Sequence, residues 1–244
     1  MSLQIKESEN IVSADSSVRN ITINRLSTRT WNRLKMNEAV VKNVEVPVAK
    51  TYEEKVGKHA GINLCDGLEI HQADESEKTL FDSIETALGS DMDKLGVHFP
   101  VEVISNVEQT ESICCTENKK DQTAGSTKNF AILNLTSDGH YGRYFLRIKK
   151  NSCMNLAVYC TTKENQTEPF FLQMKIYAEE NAHLDLSVVQ TVGKNLQVFS
   201  DIGGVLEKNA AVDLVKMELG GKEVYSGAYM DLKGDTSSFK AHIG

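Results

Sequence analysis

The chain has 244 residues, of which 40% are hydrophobic and 25% charged, and this composition is typical of a folded globular protein. Its formal net charge of −7 disfavours nucleic-acid binding, because proteins that bind nucleic acids carry a basic surface that neutralises phosphates. No apolar run approaches the about 18 residues of a membrane span and no secretory signal follows Met1, so we expect a cytoplasmic protein without nucleic-acid or membrane partners.

The sequence before residue 128 has two regions of different character. Residues 1–20 are rich in Ser, Asn and charge, and we expect them to form a flexible tail. Residues 21–127 are expected to form a mixed region of strands and a helix. This region holds the only tryptophan, in the phrase at 30–37, and alternating valines that predict an edge strand over 44–48. A second short strand is predicted over 97–104.

One helix is predicted from Asp74 to Leu88. Asp74 and Glu77 form an Asp-x-x-Glu start, in which each side chain can accept a hydrogen bond from the other residue's backbone. Gly89 is the residue type that commonly follows the end of a helix. Helical spacing places four apolar residues on one face, namely Leu80, Phe81, Ile84 and Leu88.

Residues 128–244 are predicted to be almost entirely strand. The polar interval at 106–128 is interpreted as a loop and a domain boundary. Beyond it, clusters of Gly, Asn, Asp and Lys separate short apolar segments, which is the usual punctuation between strands. The predicted strands cover residues 130–135, 141–148, 154–160, 170–177, 184–189, 196–199, 212–219 and 224–232.

A seven-residue phrase recurs in this region and predicts how the strands stack. Its copies begin at Lys150, Glu180 and Lys208, and a weaker copy begins at Gly234. The phrase carries Asn or Asp at four positions that are 30, 28 and 26 residues apart, namely Asn151, Asn181, Asn209 and Asp235. A near-constant period of this length is typical of stacked repeats. We predict that these four residues form one column of a parallel sheet, at a corner where Asn tolerates left-handed dihedral angles.

Alternation within the phrase assigns its two faces. The interior is predicted to hold Ser152, Met154, Leu156, Ala182, Leu184, Leu186, Ala210, Val212 and Leu214. The outer face is predicted to hold Cys153, Asn155, His183, Asp185, Ala211 and Asp213. The fold class is therefore mainly β, a parallel β-helix of stacked strand repeats behind a smaller mixed α/β region, and such a solenoid offers a long flat surface to partners.

Together with these repeats, two further phrases give the chain its resemblance to a known family. They are Thr-Trp-x-x-Leu-Lys-x-Asn at 30–37 and Tyr-Ser-Gly-Ala-Tyr-Met-Asp-Leu-Lys-Gly at 225–234. Over about 30–244 the chain resembles the SufB/SufD family, the scaffold subunits of SUF iron–sulfur cluster assembly. The resemblance implies a right-handed parallel β-helix and a non-enzymatic scaffold role.

The resemblance also implies partners and a cofactor. The partners would be a SufC-like ABC-type ATPase and either a SufB/SufD-like sister subunit or a second copy of this chain. No cofactor is expected on the chain alone, whereas an iron–sulfur cluster could be held in the assembled complex.

Two departures from the family pattern refine these expectations. The N-terminal cysteine cluster of longer SufB-type members has no match here, which favours a SufD-like or short single-scaffold member. The chain stops at Gly244 within the fourth phrase, before the later rungs and the helical ATPase-docking segment of the family. We therefore expect that the β-helix is incomplete at its C-terminal end, and that this chain alone neither docks the ATPase nor holds a cluster stably. We also expect it to self-associate through its last rungs or to need a partner that covers them.

Cys153 and His183 are the candidate metal ligands, because they occupy the same position of consecutive phrases. A thiolate and an imidazole one rung apart could hold iron or zinc, with Asp185 as a third ligand. The alternative is that both are ordinary residues of a solenoid wall, since a metal site needs three or four converging ligands. Cys160 is predicted to point inward as a buried structural thiol.

No catalytic residue is predicted. Asp185 and Asp213, one rung apart, are also similar to the stacked carboxylates of β-helix polysaccharide enzymes, so a carbohydrate-binding or hydrolytic module is the alternative function. The segment around Gly125 and Lys128 lacks the full phosphate-loop pattern, and we expect no ATP hydrolysis by this chain.

Overall fold

The structure, a computed structural model of the chain, describes residues 16–23, 38–47, 60–63, 68–72, 74–94, 101–105, 130–137 and 141–244. Within these residues there are fourteen strands, one α-helix and one short 3-10 helix. The strands are β1 (Ser16–Ile23), β2 (Ala39–Pro47), β3 (Ala60–Asn63), β4 (Leu68–Gln72), β5 (Val101–Ser105), β6 (Phe130–Ser137), β7 (Tyr141–Ile148), β8 (Cys153–Thr162), β9 (Phe170–Ala178), β10 (His183–Thr191), β11 (Gln197–Leu206), β12 (Ala211–Leu219), β13 (Glu223–Leu232) and β14 (Ser238–Ile243). The helix α1 spans Glu75–Ser83, and the 3-10 helix spans Met92–Lys94.

Two six-stranded sheets form the body of the fold. Sheet 1 has the strand order β14-β12-β10-β8-β6-β3, and sheet 2 has the order β13-β11-β9-β7-β5-β4. From β6 onward successive strands alternate between the sheets, so each pair of strands makes one coil and about four coils stack into a solenoid. All neighbouring strands from β6 and β7 onward pair in parallel, which confirms the predicted parallel β-helix.

Strands that precede the repeats extend the sheets and form a separate antiparallel pair. β3 pairs antiparallel with β6, and β4 pairs antiparallel with β5, which in turn pairs in parallel with β7. β1 and β2 form an antiparallel pair, so residues 16–20, assigned to the tail from the sequence, lie in a strand. The predicted edge strand at 44–48 lies within β2 as far as Pro47. The tryptophan phrase at 30–37 and the predicted boundary between 127 and 128 lie outside the described residues.

The predicted corner column is confirmed at its three asparagines and wrong at its fourth residue. Asn151, Asn181 and Asn209 have φ angles of 58°, 58° and 57°. In the weaker copy the left-handed residue is Thr236, with a φ of 60°, and not Asp235. The reason is the register, since Ala211 pairs with Ser238 and the last repeat is therefore 27 residues long instead of 26.

The side chains of this column form a hydrogen-bonded ladder. Asn181 Nδ2 donates to Asn151 Oδ1 at 2.8 Å, and Asn209 Nδ2 donates to Asn181 Oδ1 at 2.9 Å. Thr236 Oγ1 donates to Asn209 Oδ1 and continues the ladder into the next coil. Asparagine suits the position because its amide can donate to one neighbour and accept from the other while its backbone tolerates the left-handed region.

Replacing Asn181 by Ala should lower the free energy of unfolding by about 1–2 kcal/mol, because Ala is strained at a φ of 58° and makes neither ladder bond. Asn181→Gly is the matched control, since glycine loses the same hydrogen bonds but is not strained at this φ. This variant should therefore lose only about 1 kcal/mol of the free energy of unfolding. Urea unfolding of the two variants measures the difference. Equal losses would contradict a left-handed corner as the source of the preference.

The interior between the two sheets is mostly apolar. Four of the residues predicted to face inward are at most 1% exposed, namely Leu184, Leu186, Val212 and Leu214. On the opposite face Asp185 is exposed, while His183 and Asp213 are half-buried. Both parts of the predicted face assignment are confirmed for β10 and β12.

Helix α1 begins as predicted but ends earlier. Asp74 and Glu77 form the expected capping box, in which each side chain bonds the other residue's backbone. The helix stops at Ser83, before the predicted end at Leu88, and Ile84 is extended with a ψ of 121°. We call the irregular residues 84–88 the strap.

The strap lies against the outer face of sheet 2, where two strands carry glycine. A Cβ atom on Gly203 in β11 would lie 2.1 Å from the carbonyl oxygen of Glu85. A Cβ atom on Gly227 in β13 would lie 2.6 Å from the Cβ of Ala87. The strap approaches this closely because neither strand has a side chain at the crossing.

Strand β11 is longer than predicted. The sequence indicates strand only over 196–199, because Asp201 and Gly203 are residue types that usually interrupt a strand. In the structure β11 runs through both residues to Leu206. These two residues face the strap and not solvent, so the contacts of the strap explain their presence within a strand.

Candidate functional site

His183, Asp185 and Asp213 converge on the outer face of sheet 1. His183 Nε2 lies 3.1 Å from Asp185 Oδ1 and 3.9 Å from Asp213 Oδ2. One ligand atom from each residue lies within 4.8 Å of the other two. Lys240 Nζ lies 3.8 Å from Asp213 Oδ1, at the edge of this group. We call the first three residues the outer cluster.

The geometry of the outer cluster follows from strand period and register. Residues two apart in a strand point to the same face, so β10 presents both His183 and Asp185 outward. The parallel pairing of β10 with β12 places Asp213 directly beside Asp185. Two hydrogen-bonded strands therefore hold all three side chains, and their convergence requires no loop.

Cys153 lies where the register was expected to put it, but it is not exposed. It pairs with His183 between β8 and β10, as the sequence predicts. Its exposed fraction is only 1%, so the expectation that this thiol is exposed on the outer face is wrong. Alternation gives the direction of a side chain but not what other parts of the chain cover it. Cys153 is not a member of the outer cluster, and its role as a metal ligand beside His183 stays a prediction.

The outer cluster is an electronegative position on the solenoid wall. The hydrogen bond with Asp185 raises the pKa of His183 above its ordinary value, and burial opposes that rise. The charges of Asp185 and Asp213 also raise the pKa of His183, whereas Lys240 lowers it. The arrangement therefore favours a positive charge, which either a proton or a metal ion can supply.

A second polar cluster lies inside the solenoid and was not anticipated from the sequence. Lys216 points inward from β12 and is 1% exposed. Its Nζ donates to the carbonyl oxygen of Ser200 at 3.2 Å and to Ser226 Oγ at 2.5 Å. It also lies 3.1 Å from Glu218 Oε1. The alternation that turns Leu214 inward does the same for Lys216, so extending that pattern by two residues would have found it.

Cys160 adjoins this interior cluster. Cys160, Gln190 and Glu218 are neighbours in register on consecutive strands of sheet 1. The thiol is fully buried, which confirms its predicted inward direction. Burial raises the pKa of Cys160 to about 12, although the positive charge of Lys216 acts in the opposite direction. The thiol is therefore protonated near neutral pH and is a weak nucleophile in this state.

Replacing Lys216 by Met should lower the free energy of unfolding by about 3–5 kcal/mol, because it leaves Glu218 in a largely buried position without its cation. Burial lowers the pKa of Lys216 and the Glu218 charge opposes that effect, so the two residues are expected to be coupled. Glu218→Gln in the Lys216→Met background should recover part of the loss. Chemical denaturation of the single and double variants gives the coupling free energy, and strictly additive losses would contradict the pairing.

A third polar cluster fixes α1 against the outer face of sheet 2. Arg143 Nε donates to Gln173 Oε1 at 3.0 Å, and Gln173 Nε2 donates to Asp93 Oδ1 at 2.9 Å. Lys175 Nζ lies 2.9 Å from the same Asp93 oxygen. The cationic groups of Arg143 and Lys175 lie 4.5 Å and 4.7 Å from the centre of the Phe81 ring of α1. These contacts stabilise the packing of α1 on the sheet.

Asp201 connects this region to the strap. Its Oδ1 accepts a hydrogen bond from the Leu88 backbone N–H at 2.9 Å, and the side chain is fully buried. Burial raises the pKa of Asp201 to about 6, and hydrogen bonds from Thr86, Leu88 and Gln173 oppose that rise. The negative charge of Asp93 adds to the rise.

A carboxyl group with a raised folded-state pKa stabilises the fold most when it is protonated, so the contribution of Asp201 falls as pH rises from about 4 to about 6. Asp201→Asn keeps an acceptor for the Leu88 N–H but cannot ionise. The free energy of unfolding of this variant, relative to the natural chain, should therefore increase by up to about 3 kcal/mol between pH 4 and pH 7. Denaturation at several pH values tests this expectation. A difference that does not change with pH would show that Asp201 does not titrate in this range.

The stacked coils that carry the outer and interior clusters match a known family. Residues 131–243 match the family model for the SufBD core domain of SUF system FeS cluster assembly. This segment extends from β6 to β14 and is a SufBD core domain, the domain that defines the SufB/SufD family. No curated protein and no solved structure matches the chain.

This SufBD core domain supports a role in SUF iron–sulfur cluster assembly. Family members are scaffold components and work in complexes with other subunits. Among the residues that the structure describes, no helix has the length and apolar character needed to cross a membrane. The SufD-like or short single-scaffold subtype stays a prediction.

Proposed function

We propose that the chain is a non-enzymatic, cytoplasmic scaffold of SUF iron–sulfur cluster assembly. The observation that carries the proposal is the family match over 131–243, the same residues whose strands stack into the parallel solenoid. A solenoid of in-register strands is a rigid wall, and a rigid wall is suited to positioning other proteins.

Exposed apolar residues on the outer face of sheet 1 support a role in protein assembly. Tyr159, Val215, Met217 and Leu219 are 45–51% exposed. Tyr159 and Met217 both pair with Val189 on the intervening strand, so the exposed residues are near neighbours. We call the four exposed residues the apolar strip. Contiguous apolar surface of this kind commonly contacts another protein.

The proposed partners are a SufB/SufD-like sister subunit, or a second copy of this chain, and a SufC-like ABC-type ATPase. The ATPase would supply nucleotide hydrolysis, and this chain would supply a surface on which the complex assembles. In this proposal the iron–sulfur cluster is the cargo of the assembled complex and not a resident cofactor of the isolated chain.

The test is anaerobic co-purification of the tagged chain with a sister scaffold subunit and an ABC-type ATPase from the same organism. We expect a stable complex that acquires the visible absorbance of an iron–sulfur cluster when iron and sulfide are supplied. ATP turnover should be found with the ATPase and not with the chain alone. Absence of any complex would overturn the proposal.

Substitution of an exposed residue can locate the contact surface. Met217→Lys places a charge within the apolar strip and should reduce recovery of the complex without changing the unfolding temperature. Val40→Lys is the matched control, because Val40 is 52% exposed and lies on β2, outside the solenoid sheets. Equal recovery with both variants would show that the partner contacts a different surface of the scaffold.

A further inference from the structure

We propose that His183, Asp185 and Asp213 form a surface binding site for one divalent transition-metal ion, with Zn²⁺ as the best-suited occupant. The site is independent of the iron–sulfur cluster handled by the assembled complex. It would use one imidazole nitrogen and two carboxylate oxygens, all on the outer face of sheet 1.

The distances between the donor atoms suit a single small ion. Zinc binds nitrogen and oxygen ligands at about 2.0–2.2 Å, so two ligands of one ion lie about 3–3.5 Å apart. His183 Nε2 is already 3.1 Å from Asp185 Oδ1. Its distance to Asp213 Oδ2 is 3.9 Å, which a small rotation of the half-buried carboxylate can shorten. All three donor atoms lie within 4.8 Å of one another, so side-chain rotation alone can bring them to one ion without any change in the backbone.

Local charge also favours a cation at this position. Two carboxylates face the His183 imidazole, and the positive group beside them is Lys240. The Lys240 side chain is 73% exposed and 3.8 Å from Asp213, so solvent screens much of its effect. A divalent ion bound between the carboxylates would neutralise both charges and would displace the His183–Asp185 hydrogen bond.

The donor set indicates which metals suit the site. One nitrogen and two oxygen donors suit zinc, manganese, cobalt and ferrous iron, whereas thiolate-rich sites select softer ions and clusters. The buried Cys153 is not among the converging donors. Three protein ligands also leave a zinc ion with an open position, which water or a donor from a partner protein can fill.

Rigid support distinguishes the outer cluster from a chance group of surface charges. His183 and Asp185 are two residues apart on β10, and Asp213 is held beside Asp185 by the β10–β12 pairing. The His183 side chain is only 19% exposed, so its ring has little freedom to turn away. Preorganised ligands lose less conformational entropy when an ion binds than flexible surface side chains do.

The experiment is a titration of the metal-free full chain with Zn²⁺, followed by calorimetry, and with Co²⁺, followed by visible absorption. We expect one equivalent of either ion to bind, and a Co²⁺ spectrum without sulfur-to-metal charge-transfer bands. His183→Ala and Asp213→Asn should each weaken Zn²⁺ binding at least tenfold. Circular dichroism and thermal unfolding of the metal-free variants would show that both remain folded.

His242→Ala is the matched control, because His242 is an exposed histidine on β14, outside the outer cluster. It should bind Zn²⁺ as the natural chain does. The proposal is overturned if no ion binds, if His183→Ala binds normally, or if His242→Ala loses as much affinity as His183→Ala. Charge-transfer bands from cobalt would likewise overturn it, because they would place the ion on cysteine thiolates. None of these outcomes depends on SUF partners, so the result is separate from the test of the scaffold function.

Discussion

Uniform parallel register is the constraint on which both faces of the solenoid depend. A shift of one residue between β10 and β12 would turn Leu184 outward and His183 inward, because side chains in a strand alternate with a period of two. Two independent interactions hold the register against such a shift. The apolar interior requires every coil to present the same alternation, and the ladder through Asn151, Asn181 and Asn209 fixes the residue at which each strand begins. Local corner geometry and global packing therefore specify one structure.

The same register collects like chemistry into columns. The outer cluster takes its two carboxylates from adjacent strands of sheet 1, and Cys160, Gln190 and Glu218 form one interior column of the same sheet. On sheet 2 an aromatic column forms, with ring centres 4.6 Å apart between Phe171 and Phe199 and 5.0 Å apart between Phe199 and Tyr225. A substitution in any column changes the environment of a neighbour in the coil above and in the coil below. Repeats in this fold consequently constrain one another even where their sequences differ.

How much of this architecture the sequence predicts depends on whether the signal is local. Asn151 and Leu184 could be placed correctly, because a left-handed corner and a period of two are properties of a few adjacent residues. Thr236 was not recognised as the corner residue, since Asp is the commoner type there and only pairing with the preceding coil fixes the position. The burial of Cys153 is not given by alternation, and the early end of the helix before Leu88 goes with contacts to the distant strands β11 and β13. The outer cluster illustrates the difference. The direction of His183, Asp185 and Asp213 follows from alternation, whereas the burial of the neighbouring Cys153 does not.

The strap joins segments that are made at very different times during synthesis. Leu88 and Asp201 are 113 residues apart. Glu85 contacts Gly203, which lies in β11 with Asp201. Closing so long a loop costs conformational entropy, and only the contacts between the strap and β11 offset that cost. The strap can therefore dock only after β11 has been synthesised. Ile84 and Leu88, which are buried in the finished protein, therefore lack their final cover while the later coils emerge from the ribosome. The newly made chain passes through an interval in which an apolar segment is available to a chaperone or to another nascent chain.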